Sequence, residues 1–102
     1  AYEYINWYLS GWVGGYLMRQ GYYSAVPETS KNFMTADEWG FWFEGKPSEG
    51  EIVNPQGVVM EQPGAVRDGG SFEQRMGSVA CWNAVMDENQ HMLRKWNEFI
   101  AA

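Results

Sequence analysis

Tyr4-Ile5-Asn6-Trp7-Tyr8-Leu9-Ser10-Gly11-Trp12-Val13-Gly14-Gly15-Tyr16-Leu17 carries the strongest helical pattern in the chain. Ile5, Tyr8, Leu9, Trp12, Val13, Tyr16 and Leu17 recur at spacings of three and four, which predicts an amphipathic helix with a broad apolar stripe. Gly11, Gly14 and Gly15 weaken its middle by up to about 1 kcal/mol each relative to Ala, so they need packing support or mark a kink. Close approach of another backbone would explain them. The helix is expected to end near Gln20, where Gly21 can take the left-handed conformation that closes it.

Downstream, Tyr22-Tyr23-Ser24-Ala25-Val26-Pro27 reads as extended, because Val26 precedes a proline and is pushed out of the helical region. Pro27 can open a short helical turn at Glu28 to Asn32. Thr35 and Glu38 have the form of a capping box ahead of Trp39, Phe41, Trp42 and Phe43, which predicts a short aromatic helix ending at Gly45. Residues 45–70 hold three of the four prolines and six of the twelve glycines, so this insert is loop-rich. Within it, Ile52-Val53 and Val58-Val59-Met60 flank Asn54-Pro55-Gln56-Gly57 and read as a small hairpin.

Ser71 and Gln74 form a second capping box, and Phe72, Met76, Val79, Ala80, Val85 and Met86 follow a helical period, predicting a helix over 72–86. Asp87 with Gln90 can cap a fresh start, after which Met92, Leu93, Trp96, Phe99 and Ile100 make another apolar stripe. The alternative is one long helix bent near Asp87. The expected class is mainly α, about half helical, with at most a small β-hairpin.

The chain of 102 residues is the size of one small domain and can support one core. Hydrophobic residues at 45% and aromatics at 17% mark a packed chain rather than a disordered one. The aromatic load can fill a core, line a cleft or cover a neighbouring domain, and counts alone do not separate these. The net charge is −6 and the longest basic run is Arg94-Lys95, which disfavours nucleic acid as a partner. A negative surface favours cationic ligands only as a weak field effect.

Cys81 is the one cysteine, so no intrachain disulfide forms, and with a single histidine the usual Cys/His zinc frameworks are absent. In Val79-Ala80-Cys81-Trp82 the thiol reads as a small buried hydrophobe. No apolar run approaches the roughly 20 residues that span a bilayer, and the chain begins without a signal peptide. An exported protein would therefore have lost its amino-terminal portion.

The inventory for catalysis is poor. His91, the only histidine, falls on what reads as a solvated helix face. The pairs Asp37/Glu38, Glu49/Glu51 and Asp87/Glu88 are sequence neighbours that do not form an acid/base dyad by spacing. Arg67-Asp68-Gly69-Gly70-Ser71 lacks the lysine and spacing of a phosphate-binding loop. No enzyme, metal or cofactor is expected. Tyr22 and Tyr23, just past a helix end, and Trp82-Asn83, on the helix beginning at Phe72, are the candidate ligand-binding residues. An aromatic face can hold an ammonium group, contributing about 0.5 to 2 kcal/mol, and a carboxamide or phenol can accept its N–H bonds. The other reading is that all four pack into the core.

Three segments together carry a resemblance: Ala1-Tyr2-Glu3-Tyr4-Ile5-Asn6-Trp7, the step Gly21-Tyr22-Tyr23-Ser24-Ala25-Val26-Pro27, and the end from Val79-Ala80-Cys81-Trp82-Asn83 through Arg94-Lys95-Trp96-Asn97-Glu98-Phe99. Their order resembles the final segment of the spermidine/putrescine-binding family of bacterial periplasmic receptors, the solute-binding subunits of ABC importers. The resemblance implies that residues 1–102 are the carboxy-terminal helical segment of a two-lobed α/β clamp, a type II periplasmic-binding-protein fold. It implies a small cationic solute of the polyamine type, bound without turnover, and a periplasmic location. The partners would be the remainder of the receptor chain and a membrane permease. The family's Gly-Tyr tyrosine maps onto Tyr22, with Tyr23 the fallback if the register slips by one. Its late Trp-Gln pair looks like Trp82-Asn83, with a shorter carboxamide here. The 45–70 insert looks longer than in the family, and the family's charge-pairing carboxylates come from chain not present here. The competing readings are a receptor of the same fold for a non-polyamine solute, and a helical domain whose exposed aromatics serve a protein partner. Apolar faces left bare along the Trp7 and Trp12 helix would favour a segment cut from a larger receptor.

Overall fold

The structure, a computed structural model, describes residues 1–80 and 87–102. About half of these are helical, and the only strands among them make a two-stranded antiparallel sheet. The elements in chain order are α1 (Tyr2–Leu9), α2 (Trp12–Met18), α3 (Pro27–Ser30) with a 3₁₀ turn at Lys31–Phe33, and α4 (Ala36–Trp39), which runs on as a π-helical turn over Gly40–Glu44. β1 (Ile52–Val53), β2 (Val59–Glu61), α5 (Phe72–Gly77) and α6 (Asn89–Ala101) follow.

The glycine-rich amphipathic stretch is two helices, not one. Gly11 has φ +109°, outside the helical region, and an added Cβ there would lie 2.2 Å from the Thr29 carbonyl oxygen. The expected close approach of another backbone is therefore real, and it comes from α3. Thr29 Oγ1 donates to the Leu9 carbonyl at 2.9 Å, tying the end of α1 to the same element. At Gly14 a Cβ would meet Ser30 Oγ at 2.0 Å and Ser24 Oγ at 2.3 Å. Those two hydroxyls bond each other at 2.6 Å, and Ser30 Oγ also donates to the Val26 carbonyl at 3.0 Å. The glycines thus let α2 and α3 pack in contact, and Ser30 is fully buried.

Gly21, at φ +90°, closes the helix as expected, with Gly21 N donating to Met18 O at 3.0 Å and Tyr22 N to Leu17 O at 3.1 Å. Pro27 stands at the start of α3. Both capping boxes are present: Thr35 with Glu38 opens α4 and Ser71 with Gln74 opens α5. The aromatic helix ends at Gly45, φ +70°. In the hairpin, Val53 faces Val59 and Ile52 faces Glu61, so Met60 is an extra residue and the ladder is bulged. Asn54 Oδ1 accepts from Gln56 N at 3.0 Å and Val58 N at 2.9 Å, shaping the turn that joins the strands.

Two expectations at the carboxy-terminal end are corrected. The helix expected over 72–86 stops at Gly77: Ser78 N donates to both Gln74 O and Arg75 O, and Ser78 Oγ returns to Gln74 O at 3.0 Å. Glycine's low helix propensity, followed by a hydroxyl that competes for the last turn's carbonyls, ends the helix there. Val79 and Ala80 are not helical, and the remaining expected helical residues, Cys81 to Met86, lie outside the described residues. The cap expected from Asp87 and Gln90 is not made either; Glu88 holds the cap position of α6 without a side-chain bond.

The core is small and aromatic. Met18, Trp39, Phe41, Trp42 and Ile52 are buried, with Met34, Phe43 and Ala65 packed against them. Trp39 stacks on Phe43 at 4.2 Å between ring centroids, and Phe43 on Phe72 at 5.0 Å, which ties α5 to the π-helical turn. Arg19 pairs with Glu38 and also donates to the Phe33 carbonyl, joining the end of α2 to α4. Asp37 accepts from Glu49 N at 2.7 Å and Gly50 N at 3.0 Å, fastening the insert to α4.

Outside this core most of α1, Trp12 of α2 and nearly all of α6 are exposed. Tyr4, Trp7, Trp12 and Tyr16 form a ladder with centroid steps of 6.0, 6.1 and 5.7 Å, and Trp7 and Trp12 are each half exposed. No residue of α6 is buried, and Met92, Leu93, Trp96, Phe99 and Ile100 all face solvent.

Candidate functional site

The turn that closes α2 delivers Tyr22 and Tyr23 to the surface side by side, but into different surroundings. Tyr22 is 64% exposed, and its side chain has no hydrogen bond or ring partner among the described residues. Its backbone is held by the bond to Leu17 O, so an exposed ring stands at the corner where α2 closes. Tyr23 is half exposed and packs edge-on against Phe72 at 5.7 Å. The Arg75 guanidinium lies over its ring at 5.2 Å, and Arg75 Nη1 approaches its hydroxyl at 3.5 Å. The ring face that could hold a ligand cation already holds one from the chain itself. Trp82 and Asn83, the other two expected ligand contacts, lie outside the described residues.

Sequence reasoning missed what surrounds Tyr23, a pair of arginines. Arg75 Nη2 donates to the Trp42 carbonyl at 3.2 Å; Arg67 Nη1 donates to the same oxygen at 2.7 Å and Arg67 Nη2 to the Gly21 carbonyl at 3.1 Å. The Arg67 guanidinium also sits 4.9 Å over the Trp42 ring. Gly21 O and Trp42 O lie at or near the carboxy-terminal ends of α2 and the π-helical turn, where the carbonyl dipoles favour cations. Capping by Ser71 and the turn at Gly69-Gly70, φ +81° and +80°, bring the two arginines together across eight residues.

Neither arginine has a carboxylate within ion-pair distance among the described residues. Burial, and then the positive charge of Arg75, lower the Arg67 pKa from its ordinary value. Trp42 Nε1 and Arg75 Nε are buried without an acceptor among the described residues. A pocket of about 490 Å³ opens beside them, lined by Phe41, Trp42, Met60, Glu61, Val66, Arg67, Asp68 and Arg75. The sequence signal was weak: Arg67 and Arg75 flank a double-glycine turn, but only the fold places them on one carbonyl 25 and 33 residues away.

Of the carboxylates weighed for catalysis, Asp37 and Glu38 are engaged structurally. Asp37 receives loop amides, and Glu38 receives Arg19 and the Thr35 amide. His91 lies on the exposed face of α6. Among the described residues no group of three or more His, Cys, Asp or Glu side chains is placed to hold a metal, and no helix is long and apolar enough to cross a membrane.

No protein-family model matches the chain, and no similar protein was found among curated proteins or solved structures.

Proposed function

We propose that the chain is a solute-binding segment of an extracytoplasmic receptor serving an ABC importer, with protonated amines of the spermidine/putrescine type as its solute class. In this reading it belongs to a two-lobed periplasmic-binding-protein fold, captures the solute by closure of the lobes and passes it unchanged to a membrane permease. The observation that carries the reading is the ladder of Tyr4, Trp7, Trp12 and Tyr16, whose first three rings are exposed while Tyr16 is partly covered and accepts a bond from Gln56. Four rings in sequence along α1 and α2 form an apolar face of the sort that a partner surface covers in larger proteins. Tyr22 supplies the ligand contact, since its ring is exposed, has no partner among the described residues and has its backbone held; Trp82 and Asn83 are assigned to the same solute by the resemblance alone.

The second reading is a helical protein-interaction domain, favoured by the apolar stripe on α6. The deciding experiment is calorimetric titration of spermidine and putrescine into the full-length protein, with Tyr22→Ala and Trp82→Ala as paired variants. Micromolar or tighter binding that both substitutions weaken supports the amine receptor. A folded protein that binds neither amine removes the polyamine assignment.

A further inference from the structure

We propose that Arg67 and Arg75 form an oxyanion-binding subsite, taking a carboxylate or phosphate group in the pocket they share with Phe41, Trp42, Glu61 and Asp68. Each guanidinium carries five N–H donors, and each spends only two of them on the bonds described above. The planar fork that remains is suited to two-point recognition of an oxyanion.

The charge balance points the same way. Two cations converge on one carbonyl oxygen with no carboxylate within ion-pair distance among the described residues. Holding like charges together in a partly buried place is unfavourable, and an anion between them would relieve it. Trp42 is 6% exposed, yet its indole N–H has no acceptor among the described residues, and neither has Arg75 Nε. Two orphan donors beside two cations that have no ion-pair partner among the described residues describe a place short of acceptors. Asp68 and Glu61 line the same pocket and oppose an anion, so they set an upper limit on affinity rather than close the site.

The subsite does not depend on the amine reading, because it involves neither Tyr22 nor Trp82, and its test uses anions only. The full chain is titrated with inorganic phosphate and, separately, with succinate at constant ionic strength. Two-dimensional NMR follows the Trp42 indole and the arginine Nε–H resonances. Saturable shifts of these signals are expected, weakened tenfold or more by Arg67→Gln and by Arg75→Gln and unchanged by Arg94→Gln on the exposed α6. Tighter phosphate binding would indicate a phosphate-bearing solute, and tighter succinate binding a carboxylate. Asp68→Asn guards against misfolding of the arginine variants, since the Asp68 side chain makes no hydrogen bond among the described residues; it should tighten anion binding severalfold. Absence of saturable shifts with both anions, binding that survives both arginine substitutions, or an Asp68→Asn variant that binds no tighter would each overturn the proposal.

Discussion

Single residues divide into those that hold the fold and those that are displayed, and burial tells them apart. Phe41 is 2% exposed at the centre of the core, whereas Trp12 is 50% exposed on the ladder. Phe41→Ala should therefore cost about 3 to 5 kcal/mol. Trp12→Ala, which would cost as much if the ring were buried, should cost less than half of that; thermal unfolding of the two variants side by side checks the contrast. Glu38 adds a pH dependence. Burial alone would raise its pKa, but bonds from Arg19 and the Thr35 amide outweigh burial and lower it. A carboxyl whose folded pKa is depressed stabilises above its unfolded pKa, about 4.3, and that stabilisation is lost as pH falls through the folded value. Glu38→Gln should cost about 1 to 2 kcal/mol at pH 7, with partial exposure keeping it at the low end for a charged hydrogen bond. The gap from the unsubstituted protein should shrink below about pH 4, which melting temperatures from pH 7 to pH 3 would reveal. Glu38 could be read from the sequence as a capping residue because its partner Thr35 is three residues away. Its pairing with Arg19, nineteen residues back, could not.

At the scale of elements the same division by sequence distance holds. The capping boxes at Thr35 and Ser71, the proline at the head of α3, and the helix closure at Gly21 depend on neighbours a few residues away and were legible. The break between α1 and α2 was visible only as a weakness, because its position is set by the Thr29 carbonyl, eighteen residues beyond Gly11. The arginine subsite was invisible for the same reason: Trp42 O is a local helix carbonyl until the fold brings Arg67 and Arg75 to it. Two glycine substitutions test this account with opposite signs. Gly11→Ala forces a side chain into φ +109° and against a backbone oxygen, and should destabilise by at least about 2 kcal/mol. Gly77→Ala, with nothing within 4 Å among the described residues and no positive φ, should stabilise α5 by about 0.4 to 1 kcal/mol. Chemical denaturation curves for both variants would show the midpoint moving down in the first and up in the second. A stabilising Gly11→Ala would mean that α1 and α2 can fuse into the single helix that the apolar spacing suggested.

Across the whole molecule the described chain is larger than its length would require if it were compact. Its radius of gyration is 17.1 Å, against about 13 Å for a compact domain of 100 residues. The excess accompanies two faces left largely exposed among the described residues, the ladder of α1 and α2 and the stripe of α6. A helix of thirteen residues is marginal in water by itself, so α6 keeps its shape best when its apolar side is buried. Trp96 and Phe99, stacked at 5.6 Å and respectively 59% and 72% exposed, stand at the centre of that side. Free in solution, the stripe should be buried by association between copies of the chain. Sedimentation velocity is expected to show weight-average mass rising with concentration, and the Trp96→Gln, Phe99→Gln double variant should hold it near the monomer. Because neither ring touches the core of Met18, Trp39, Phe41, Trp42 and Ile52, the same variant should leave the melting temperature of that core unchanged when measured at low concentration. A fall in melting temperature would show instead that α6 folds back on the core. A double variant that associates as strongly as the unsubstituted chain would move the sticky surface to the Trp7 and Trp12 ladder, where Trp7→Gln is the next substitution to measure.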